Sequence, residues 1–143
     1  MNTTIRSSQF PSKRSPRPAH AVTHLRVTSR AMPPRTVVVA AVGEVDMSSA
    51  PLLRTCLHEE IRPHGPNLVA DLTGLVFFGA AGITVLAITL RHAGAAGIRF
   101  SVIASSETVV NPLRITGMLS VIDVYSELGR IPARETAPPS APE

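Results

Sequence analysis

Between His24 and Ser29 apolar and polar side chains alternate, Leu25 and Val27 on one side and Arg26 and Thr28 on the other. That is the pattern of a half-buried or edge strand. Two consecutive prolines then remove ladder donors, so Met32 to Arg35 is a connection. Thr36 to Val42 is a nearly continuous β-branched run, as in a strand covered on both faces, and Gly43 to Asp46 ends it. The two segments predict an opening hairpin. Ser48, Ser49 or Ala50-Pro51 then start a helix, with serine as cap and proline inside the first turn. Leu53, Cys56, Leu57 and Glu60 or Ile61 follow at helical spacing, which places Cys56 in the core and Arg54, His58 and Glu59 on the polar side. Residues 62–66 (RPHGP) stop the helix.

From Leu68 to Gly94 the order is an apolar strand (LVADL), a glycine-punctuated turn (TGLVFFGAAG) and an apolar run (ITVLAITLRHAG). The third strand is expected over 67–72 and the second helix over about 80–92, with Gly94 and Gly97 beyond its end. A turn of this kind brings free backbone N–H groups of a helix start to the surface. Ile98 to Ile103 is the next strand, and strand–helix–strand in such short succession implies a right-handed parallel crossover. Ser105-Ser106-Glu107 offers a cap for a third helix through about Ile115, with Pro112 predicting a kink or a restart capped by Asn111. Val121 to Val124 reads as a short last strand, Tyr125 to Leu128 as one helical turn, and the chain from Ile131 as loose. The class is α/β.

Length and charge narrow the picture. The chain has 143 residues, which suits one domain. Arg6, Lys13, Arg14 and Arg17 account for the whole net charge of +4, and the first twenty residues hold no Asp or Glu. Residues 1–22 therefore read as a disordered basic arm, 23–130 as the folded domain and 131–143 as a tail. Aromatics make up 3% of the chain, too few for a base-stacking surface, so direct nucleic-acid binding is not expected. From Leu72 to Leu90 about nineteen consecutive residues are uncharged, near a spanning length. The glycines and threonines in that run favour strand, turn and buried helix over a membrane span.

Chemistry at the turn is sparse. It lacks the Lys-Ser/Thr of a phosphate-binding loop, the spacing of a dinucleotide fingerprint and a nucleophile elbow. His20, His24, His58, His64 and His92 are scattered without metal-ligand spacing, and a lone Cys56 excludes an intrachain disulfide. No enzyme, cofactor or metal is indicated, and a reducing, cytoplasmic setting is expected.

Four segments in order, GEVDMSSAPLLRTCL, LVADLTGLVFFGAAGITVL, GIRFSVI and LRITGML, resemble the STAS domain of anti-sigma factor antagonists over about residues 24–128. The resemblance implies a small mixed sheet of four to five strands with helices packed mainly on one face. It also implies a partner: an anti-sigma factor, usually a serine kinase of the histidine-kinase-like ATPase superfamily, whose capture frees a sigma factor for transcription. Members commonly carry Asp-Ser-Ser/Ala-Gly at the start of the helix after the third strand, and the first serine is phosphorylated by the partner. The matching residues here are Gly79-Ala80-Ala81-Gly82, so Ala80 has no hydroxyl to accept a phosphate. The implied partner-binding residues are Asp46, Gly79, Ala80, Ala81, Gly82 and Ile83. Asp46 also suits the start of the following helix. Asp71 reads as a structural acceptor for loop N–H groups, and Thr73 and Thr84 are the hydroxyls nearest the turn. Similar domains also serve as transporter subunits and stress-sensing scaffolds, which is the alternative reading.

Overall fold

The computed structural model describes residues 20–22 and 24–132. In chain order the elements are β1 (His20–Val22), β2 (Leu25–Met32), β3 (Thr36–Val45), α1 (Ala50–His58), β4 (Asn67–Phe78), α2 (Ala80–Ala96), β5 (Phe100–Ile103), α3 (Glu107–Ile115) and β6 (Asp123–Tyr125). Short 3-10 turns occupy Met118–Ser120 and Leu128–Arg130. The strands form one six-stranded sheet in chain order, β1 to β6. β1, β2 and β3 are antiparallel, whereas β3, β4, β5 and β6 run parallel. The opening hairpin and the crossovers follow the hydrophobic pattern, and the mixed sheet has one or two strands more than expected.

All three helices pack on one face. Leu53, Cys56 and Leu57 of α1, Val85 and Leu86 of α2, and Val109 and Leu113 of α3 share one cluster with Val37, Val39, Leu68, Ala70 and Val102 of the sheet. Burial pushes the Cys56 thiol up to about 11, with Glu59 and Glu60 adding to the shift, so it stays a neutral core side chain. α1 ends at His58, and Glu60 in the turn beyond it is 3% exposed and accepts a hydrogen bond from Ser29 Oγ at 3.0 Å. On the opposite face Val38, Val69 and Ile103 pack with Ile131, flanked by Met32, Tyr125 and Leu128.

The departures from expectation have physical causes. His20–Val22 pair with Leu25–Val27, so the arm read over 1–22 gives way to a strand at residue 20, and residues 1–19 lie outside the described residues. The loose C-terminal region was placed from Ile131, yet Ile131 is buried; residues 133–143 lie outside the described residues. The third strand does not end at Leu72 but runs to Phe78. Its register against β3 shifts twice, between Ala40 and Val42 and between Gly43 and Glu44, so β4 takes up extra residues as bulges and keeps pairing. Gly74 belongs to this device: a Cβ there would lie 2.9 Å from the Val42 side chain and 3.1 Å from the Ala41 carbonyl oxygen.

α2 continues past His92 through Gly94 and stops at Gly97, whose φ of 75° closes the helix as Ile98 N–H reaches the Ala93 carbonyl. α3 starts after Ser106 and does not restart at Asn111. Pro112 costs a nine-residue helix one internal bond, which Val109 and Leu113 offset by full burial. The last strand falls at Asp123–Tyr125 and the final turn at Leu128–Arg130, each a few residues later than the pattern suggests. Among the described residues no helix is long and apolar enough to cross a membrane.

Candidate functional site

The carboxyl ends of β3 and β4 lie side by side, which is where an α/β sheet presents its loops. The β4–α2 connection is a single residue, Gly79, held in extended conformation (φ −92°, ψ −174°) with its N–H donating to the Val45 carbonyl at 2.9 Å. That bond ties the start of α2 to the end of β3. The glycine-punctuated turn expected over ten residues is thus compressed to Gly79 alone, with 73–78 in β4 and 80–82 in α2.

The residues from Ala80 to Ile83 divide by exposure. Ala80 is exposed, Ala81 and Ile83 are half-buried against the main core, and Gly82 is buried. A Cβ on Gly82 would sit 2.4 Å from the Phe78 ring, so this glycine serves the contact between α2 and β4. Thr84 is exposed with Oγ1 3.4 Å from the Ala80 carbonyl, and Thr73 Oγ1 donates to Asp71 Oδ1 at 2.7 Å. Asp71 also accepts the Thr73 N–H, within β4 and not at its end.

Apolar side chains stand in solvent around this tip. Met47, in the β3–α1 loop, is 87% exposed, and on β4 Val76 is 70% and Phe77 49% exposed. Phe77 pairs with Glu44 in the ladder, and its ring flanks Gly79, 3.1 Å from where a Cβ would be. Sequence reasoning passed over Met47 and Phe77. The signal was present for Phe77, because Phe78 must point inward at a strand end and its neighbour then points out.

Asp46 organises the β3–α1 loop. Its Oδ1 accepts the N–H groups of Ser48 (2.9 Å) and Ser49 (3.0 Å) and the hydroxyls of Ser48 (2.8 Å) and Ser49 (3.2 Å). Its Oδ2 accepts a hydrogen bond from His24 Nε2–H at 2.9 Å. The Ser48 hydroxyl has the largest effect on its pKa; desolvation, next in size, opposes it, and the Ser49 N–H, the Ser49 hydroxyl and the Ser48 N–H add to the lowering, which brings the pKa to about 2. Buried Ser49, the residue before α1, donates its hydroxyl to the Glu44 carbonyl at 2.8 Å. Asp46 therefore shapes the helix start, as its second reading expected, and remains part-exposed beside the tip.

Folding also joins histidines that are scattered in sequence. His24 meets Asp46, and the His58 and His92 rings lie 4.7 Å apart across α1 and α2. The tip carries exposed apolar side chains, a fixed carboxylate and a helix start whose first residue, Ala80, has no hydroxyl. Such an arrangement suits docking a protein.

The family model for the STAS domain matches residues 29–131. This chain belongs to the STAS domain family. Within it, the chain is 28% identical over 91 residues to the anti-sigma-F factor antagonist RsfB of Mycobacterium tuberculosis, covering 64% of this chain and 74% of that protein. The crystal structure of an anti-sigma factor antagonist from Mycobacterium paratuberculosis superposes with a TM-score of 0.68 at 28% identity, over 73% of this chain and 88% of that one. Unphosphorylated SpoIIAA, an anti-sigma factor antagonist, shares the fold at 19% identity, with a TM-score of 0.58 over 73% of this chain and 92% of its own. The STAS assignment accounts for the mixed sheet and for helices on one face.

Proposed function

We propose that this STAS domain is an anti-sigma factor antagonist that docks its β3–α1 and β4–α2 tip on an anti-sigma factor of the serine-kinase type and so releases a sigma factor for transcription. The carrying observation is the exposed, hydroxyl-free Ala80 at the helix start, with Met47 of the β3–α1 loop and Val76 and Phe77 near the end of β4 also exposed. Asp46, Ala80, Ala81 and Ile83 form the docking face, with Gly79 and Gly82 holding its backbone. Exposed aromatic and methionine side chains are the residue types that anchor interfaces.

A phosphate at this helix start would add about −1.5 to −2 charges beside Asp46 and Glu44 and would oppose docking. Ala80 cannot receive one. The domain is therefore permanently binding-competent toward its partner, and its control lies in abundance or in another protein.

The test is a pull-down from the source cells with the full chain and Ala80→Ser, each with and without ATP. Both proteins should capture a kinase-type anti-sigma factor, and ATP should release only the serine variant, with phosphate on the new hydroxyl. ATP-driven release of the unmodified chain would overturn the lost switch. Capture of a transport ATPase or a stress-complex component in place of an anti-sigma factor would overturn the function.

A further inference from the structure

His24, Glu44 and Asp46 bring one imidazole nitrogen and two carboxylates within 4.8 Å of one another at the rim of the tip. We infer that these three residues form a binding site for a divalent cation of the zinc class. The inference rests on the proposed docking tip only for its consequence.

The donor set fits that chemistry. One imidazole nitrogen and two carboxylate oxygens make a mixed N/O triad, the kind that takes Zn²⁺ and leaves a further position open, whereas Ca²⁺ and Mg²⁺ prefer oxygen alone. Glu44 lies near the end of β3, while His24 immediately precedes β2 and Asp46 immediately follows β3. Glu44 N–H donates to the His24 carbonyl at 2.8 Å, which holds the two residues opposite each other. Gly43 makes the approach possible: its φ is +117°, and a Cβ there would fall on the His24 carbonyl oxygen at 2.2 Å.

Charge supplies an independent reason. Glu44 is exposed, and among the described residues its carboxylate takes no hydrogen bond or ion pair, although the Asp46 carboxylate is within 4.8 Å. A divalent cation held between the two carboxylates would be attracted by both. The Asp46 Oδ1 is engaged by Ser48 and Ser49 and supports the loop, while Oδ2 faces His24 and is the ligand atom. A bound Zn²⁺ would replace the His24–Asp46 hydrogen bond with two metal bonds. It would also cancel the two carboxylate charges that a docking partner otherwise meets.

Calorimetric titration of the full chain with ZnCl₂ at pH 7.5, without any partner, tests the site. One equivalent should bind saturably, and NMR should show the His24 ring signals shifting with the same midpoint. Glu44→Gln and His24→Gln should each weaken binding at least tenfold while their melting curves without metal stay close to the parent, since both side chains lie outside the main core. His58→Gln should leave it unchanged. No saturable binding, or binding that survives Glu44→Gln and His24→Gln but falls in His58→Gln, would overturn the inference. Pull-down of the anti-sigma factor with and without Zn²⁺ then reads the consequence separately, so failure of one does not disguise failure of the other.

Discussion

Phe77 and Phe78 are neighbours with opposite surroundings: Phe78 is 3% exposed under α2, and Phe77 is 49% exposed beside Gly79. Phe77→Ser therefore removes apolar area from the tip without opening the core. Capture of the anti-sigma factor should fall tenfold or more, as for an interface anchor worth about 2 kcal/mol, while the melting temperature moves little. Unchanged capture would remove this ring from the docking face. At His58 the issue is protonation. Its Nε2 is shielded and takes no hydrogen bond among the described residues, and burial first, then His92 and Arg54, lowers its pKa below the ordinary 6.5. The unfolded chain binds this proton more readily, so stability is full above about pH 6.5 and is lost as pH falls toward the folded value. Thermal melts should show a lower midpoint at pH 5.5 than at 7.5, and His58→Gln should flatten that difference.

At the scale of elements, two glycines of α2 behave oppositely under the same substitution. Gly94→Ala meets nothing within 4 Å and gains helix propensity, so it should stabilise by about 0.5–1 kcal/mol. Gly82→Ala gains the same propensity but drives its methyl to 2.4 Å from the buried Phe78 ring, and overpacking of about 1–3 kcal/mol outweighs it. Denaturant midpoints of the two variants should move in opposite directions. This pair also marks how far the pattern of the sequence reaches. β2, β3, α1 and β5 were legible because alternation and helical spacing continue through them. β4 was not, because Gly74 reads as a turn residue when what it meets is Val42 across a bulge. The candidate site divides in the same way. The absent hydroxyl at Ala80 is visible in four consecutive letters, whereas His24 and Asp46 stand 22 residues apart and meet only once β2 and β3 are paired.

For the whole molecule, placing every helix on one face leaves the other face of the sheet to be covered by something else. Val38, Val69 and Ile103 line its centre, and Ile131, 8% exposed, returns after β6 to pack on them with Leu128 beside it. Residues 128–131 are thus a structural strap on the side of the sheet away from the helices. Ile131→Ala withdraws three carbons from that contact, and truncation of a buried isoleucine costs about 2–5 kcal/mol; a site at the domain margin belongs at the low end. The tip is built from the β3–α1 and β4–α2 connections and does not include Ile131, so partner capture at low temperature should survive while the denaturant midpoint falls. Truncating the chain after Ser126 removes Leu128 and Ile131 together and exposes all three sheet residues to water. Uncovered apolar surface of that kind drives association, so this variant should show concentration-dependent self-association in sedimentation, and the Ile131→Ala protein should not. A truncated chain that melts and sediments like the parent would mean that the strap contributes nothing to the fold.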